Sequence, residues 1–138
     1  MLRIFVSLLF SILLAQPASA STREERAREM AECGYLAVLA AEDAAGPLRR
    51  DLVSDIADFT NLFCAYARID RPVTGQGVSS DMLGRLVTEG RALHARRLTA
   101  MSPQNALRLS NRMLQTCRSD LSLLVLKMRT EAGLSPQR

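Results

Sequence analysis

Apolar residues recur every three or four positions along most of the chain, the spacing of helices that bury one face. After residue 20, four such segments follow one another. The first, about residues 22–45, aligns Met30, Cys33, Ala37, Ala40, Ala41 and Ala44. The second, about 47–70, aligns Leu48, Leu52, Ile56, Phe59, Phe63 and Tyr66. The third, about 80–98, aligns Met82, Leu86, Gly90 and Leu93, and the fourth, about 103–132, aligns Ala106, Met113, Leu114, Cys117, Leu121, Leu124 and Met128. Boundary residues support each segment. Ser21 with Glu24, or Thr22 with Glu25, reads as a capping box. Gly46 suits the C′ position, and Pro47 the first helical position. Ser79 or Ser80 with Asp81 opens the third helix, Ser102-Pro103 opens the fourth, and Gly133 with Pro136 stops it. Strand-type alternation is nearly absent. The connections are short except for residues 71–78, so consecutive helices should be antiparallel neighbours. The predicted fold is all-α: one up-down-up-down four-helix bundle spanning residues 21–138. The alanine-rich first helix should pack closely on the aromatic second.

Residues 1–20 follow a different pattern. Arg3 precedes an apolar run from Ile4 to Ala15, and Ala18-Ser19-Ala20 is a small-x-small site. This is the form of a cleaved secretory signal peptide, and the run is shorter than the ~20 residues that cross a bilayer. Export changes the reading of the cysteines, because a disulfide is the default in an oxidising compartment. There are three, Cys33, Cys64 and Cys117. Cys33 and Cys117 lie on the apolar stripes of the first and last helices, at heights that differ by about two residues, or ~3 Å. The predicted bridge is Cys33–Cys117, tying the first helix to the last and closing a loop of about 85 residues. Cys33–Cys64 is the rival, since the first two helices are also neighbours. The leftover thiol in the predicted pairing, Cys64, lies about 120° from its helix's apolar stripe. That places it half-exposed, either available for an intermolecular disulfide or redox chemistry, or quiet.

Candidate chemistry is sparse. No C-x-x-C is present, which removes a thioredoxin-type centre and haem attachment through C-x-x-C-H. The single histidine, His94, falls on a helix flank and reads as a surface residue. A nucleophilic triad through it, or a haem held by His94 with Met30 or Met82, is a minor alternative. Glu25, Glu29 and Glu32 share one face of the first helix; Asp51, Asp55 and Asp58 share one face of the second. A di-metal bundle needs inward carboxylates with Glu-x-x-His pairs, which are missing. Both rows therefore read as solvated, and neither metal nor cofactor is expected.

The chain has 18 basic and 14 acidic residues and a net charge of +4, unevenly distributed. Residues 21–70 carry net −4 and residues 71–138 net +7. Opposite halves can attract within the bundle or between copies. Arg49-Arg50 opens the second helix and Arg96-Arg97 closes the third, which the topology places at one end of the bundle. That patch suits phosphate, lipid headgroups or an acidic segment, so peripheral membrane contact is an option. Nucleic acid is disfavoured by export and by the few aromatic residues. Leu36, Leu39, Leu123 and Leu126 exceed what a one-stripe bundle can bury, and surplus apolar surface on a helix marks a partner face.

Leu98-Thr99 and Met101-Ser102-Pro103-Gln104 resemble the Leu-Thr-x-x-Gln motif of small periplasmic helical chaperones of the Spy and CpxP type. The resemblance covers fewer than ten residues, and a cap followed by proline produces the same letters. The sequence points to a periplasmic or secreted, non-enzymatic binding protein: a small chaperone, assembly factor or adaptor for an envelope protein, or a homodimer. The alternative is a small exported all-helical enzyme, whose mark would be a polar pocket lined by arginine and carboxylate inside the bundle.

Overall fold

A computed structural model describes residues 20–69 and 79–131. Leader residues 1–19, the 71–78 connection and the Gly133–Pro136 stop lie outside the described residues. The fold is the expected all-α, up-down-up-down four-helix bundle: α1 (Ala20–Asp43), α2 (Gly46–Ala67), α3 (Ser80–Leu98) and α4 (Pro103–Glu131), with no strand among the described residues. One disulfide, Cys33–Cys117, joins α1 to α4 with a Cα separation of 5.8 Å.

The helix ends follow their local chemistry with two adjustments. Because α1 begins at Ala20, Ser21 and Thr22 lie inside the helix rather than capping it. Gly46 takes the left-handed conformation that its lack of Cβ permits, with φ of 61°, and Pro47 follows within the first turn of α2. α2 ends at Ala67, three residues before the expected Asp70. Arg68 turns left-handed there, and the Ile69 N–H donates to Cys64 O at 2.9 Å, a closure usually made with glycine. The Ser79 hydroxyl caps α3 by accepting from the Met82 N–H, and Ser102 does the same for α4 with the Asn105 N–H.

α1 is the hub, packed on α2 along its length and on α3 across its middle. Leu86, Gly90, His94 and Arg97, spread over three turns of α3, all meet residues 31–35, a single stretch of α1. The two helices therefore cross at that point, and small residues make the crossing close. A Cβ on Gly90 would stand 2.2 Å from the Ala31 carbonyl oxygen, and one on Gly34 would stand 2.7 Å from the Leu86 side chain. The large core side chains come from α2 and α3: Leu52, Phe59, Leu62, Phe63 and Leu86. Burying a side chain of this kind contributes about 1.5–3 kcal/mol before chain entropy is counted.

Two expectations about α1 and α2 are corrected here. Leu36 is buried at 4% exposure, because a helix covered by three neighbours buries more than one stripe. It is core, not surplus surface. Cys64 is buried rather than half-exposed: the start of α3 covers the end of α2, and the thiol lies 3.8 Å from the Met82 sulfur. Pairing it with another chain would require α2 and α3 to separate.

Candidate binding groove and its polar anchor

α4 lies differently. It is the longest helix, and among its described residues only Cys117 and Leu121 are buried. Among the described residues, three discrete links fasten it. The disulfide ties it to α1. Arg118 Nε donates to Asp55 Oδ2 of α2 at 2.7 Å. Ser110 Oγ lies 2.7 Å from His94 Nε2 of α3. Between these links the helix stands off and leaves a groove on either side. The larger, about 950 Å³, separates α4 from α1 and the end of α3. Its apolar lining is Met30, Met101, Leu109, Met113, Leu123 and Leu124, with the disulfide at its floor. Glu29, Glu32, Arg97, Arg112, Thr116 and Asp120 supply its polar groups. The smaller, about 570 Å³, lies toward α2 and includes Ala40, Leu48, Leu52 and Leu114.

Beside the larger groove sits a buried polar cluster that the sequence reading placed on the surface. Glu32 is 1% exposed and His94 is also buried. Arg97 Nε donates to both Glu32 carboxylate oxygens, at 2.7 and 3.0 Å. His94 Nδ1 lies 3.0 Å from Glu32 Oε2. An ionised carboxylate can only accept, so Nδ1 carries a proton. Ser110 Oγ is also 2.9 Å from the Ala106 carbonyl. Its single proton goes either to that carbonyl or to His94 Nε2. The cluster thus satisfies a buried carboxylate from two sides and ties α1, α3 and α4 together. Tyr35 flanks it, its ring centroid 6.1 Å from that of His94, with the Arg91 guanidinium 5.9 Å from the same ring.

The Glu32–His94–Ser110 order is that of a nucleophilic triad, and Glu32 with Arg97 is an inward arginine–carboxylate pair facing a cavity. The sequence raised a triad through His94 only as a minor alternative, without singling out Ser110 or Glu32, and placed no arginine–carboxylate pair inside the bundle. Glu32 continues the i, i+4, i+7 row of Glu25 and Glu29, and only the crossing of α3 turns its position inward. The available signal was the set of small residues Ala31, Gly34 and Gly90, which marks two helix axes in close approach.

The other sequence-selected residues differ in exposure and partners. Arg49 and Arg50 are exposed at the start of α2, and Arg96 is exposed at the end of α3. Arg97 turns instead to Glu32, eleven residues before the end of α1, and its side chain is 42% exposed. Leu39, Leu123 and Leu126 are exposed, Leu123 most of all at 67%, and Leu123 lines the groove. Asp55, read as solvated, is the carboxylate that Arg118 grips. Among the described residues no group of His, Cys, Asp or Glu could hold a metal ion, and no helix is long and apolar enough to cross a membrane. Compared with protein families, with curated proteins and with solved structures, the chain matches none.

Proposed function

We propose that this chain is an exported, non-enzymatic binding protein, a small helical chaperone, assembly factor or adaptor for an envelope protein, and that the α1–α4 groove is a seam that takes an apolar helix, from that protein or from a second copy. The groove itself is the observation that carries the reading. Three of its apolar side chains, Met30, Met101 and Met113, are unbranched thioethers that repack around different shapes. Grooves of this kind accept amphipathic helices through residues one turn apart. Export is supported by the leader pattern of residues 1–20 and by the Cys33–Cys117 bridge. The purified mature protein should retain a partner from envelope extract. Leu123→Asp should abolish retention while leaving the helical circular dichroism unchanged. Equal retention by wild type and variant would overturn the reading.

A second reading is favoured by one observation, the Glu32–His94–Ser110 chain. In it Ser110 is a nucleophile, His94 its base and Glu32 the group that orients the base. Two features weigh against it. Ser110 sits in mid-helix, where the backbone N–H groups are committed to the helix and none is available to an oxyanion. Arg97, the cation of the same cluster, is held on Glu32. Ester hydrolysis by the wild type that vanishes in Ser110→Ala would establish the enzyme.

A further inference from the structure

The groove-facing stripe of α4 has a symmetry that identifies a fitting helix. Leu109, Thr116 and Leu123 recur at seven-residue intervals, and Arg112 and Asp120 stand four residues either side of Thr116. At 100° per residue all five lie within about 40° of one line along the helix. All five line the groove, and all but the partly buried Leu109 are exposed. Reversing the helix about Thr116 exchanges Leu109 with Leu123 and Arg112 with Asp120. The stripe is therefore complementary to an antiparallel copy of itself: leucine meets leucine, and each arginine meets an aspartate. This is the requirement of a two-fold interface, where residue i contacts j and j contacts i.

We infer that the groove is filled by α4 of a second copy, packed antiparallel with the two-fold axis at Thr116. This rests on reading the groove as a helix-binding seam and names the helix. The flanking charge supports the same partner. α1 and α4 are antiparallel and in register at Cys33–Cys117, so Glu29 and Asp120 share one end of the groove. The incoming Arg112 arrives between two carboxylates, while the incoming Asp120 meets Arg112. The apolar positions supply attraction and the two ion pairs fix direction, because a parallel arrangement would set arginine against arginine.

Sedimentation velocity on the mature protein should give the mass of a dimer at micromolar concentration. Arg112→Asp and Asp120→Arg each place like charges across the axis twice, and each should weaken the dimer at least tenfold. Combining them restores opposite charges at both contacts and should restore the dimer. Circular dichroism and non-reducing mass spectrometry would verify that every variant keeps its helices and its disulfide. A monomeric wild type, or single reversals that dimerise as well as wild type, would overturn the inference, as would a double variant that stays monomeric. If the wild type is monomeric while Leu123→Asp still abolishes partner retention, only the self-pairing falls and the groove reading survives. If Leu123→Asp changes neither mass nor retention, both fall.

Discussion

α1 and α4 are both long and both carry apolar residues, yet they are held by different physics. Five consecutive residues of α1, Met30 to Gly34, are buried, so the helix is enclosed on every side at its middle. Its attachment is spread over many contacts, no one of which dominates. Among its described residues α4 is enclosed nowhere, and there it is attached through one covalent bond, one ion pair and one hydrogen bond, with packing at Leu121 and Cys117. A diffuse attachment survives the loss of a member, whereas a discrete one can be cut link by link. The contrast separates scaffold from proposed working surface: the hub is where the chain is enclosed, and the sparsely covered helix is where the apolar groove opens.

Substitutions can break that contrast or sharpen it. The largest effect should follow removal of the bridge by Cys33→Ala with Cys117→Ala. Its sequence separation of 84 residues corresponds to at most ~4–5 kcal/mol on the chain-entropy model. Hydrogen exchange should then accelerate in α4 far more than in α1; equal acceleration in both would show that α4 is part of the hub. Glu32→Ala should come next. It strips a buried carboxylate from His94 and Arg97, and because Arg97 can turn to water the loss should be about 3 kcal/mol, the low end for a broken buried pair. Urea denaturation would measure it, and a loss below 1 kcal/mol would mean that the cluster holds nothing together.

Gly90→Ala should cost about 1–3 kcal/mol, since its Cβ meets backbone rather than a movable side chain. Gly84→Ala, in the same helix but facing open space, should instead gain about 0.5–1 kcal/mol. Thermal melts of the pair would test the crossing directly, and a shared sign would refute it. Leu123→Asp should change stability by no more than about 0.5 kcal/mol, as for other surface substitutions, despite its expected effect on binding. A large loss would move α4 from working surface to scaffold.

The helices were legible in the sequence because their signals are local, and the bridge because helix lengths and topology set the heights of its two cysteines. Ser79, Ser102-Pro103 and Gly46 encode ends within a few residues, and the heights of Cys33 and Cys117 follow from counting turns. What was not legible depends on how helices cross. Periodicity gives each helix one buried stripe, so Leu36 and Glu32, on the sides of α1 that its neighbours cover, read as surface. His94 read as surface for the same reason, since its burial comes from α1 and α4 together. The end of α2 was misplaced because Arg68 adopts a conformation that sequence reserves for glycine or asparagine. Arg97 joined a basic end on topology alone, and the pull of Glu32 could not be seen before Glu32 was known to face inward.

The bond between Cys33 and Cys117 makes a covalent ring of everything between them, including all of α2 and α3. A protease that severs the backbone once inside that ring opens it without releasing a fragment. A nicked molecule would run as a single species on a denaturing gel and separate into two only after a reductant is added. In a compartment rich in proteases, such a molecule can keep both halves in place after being cut.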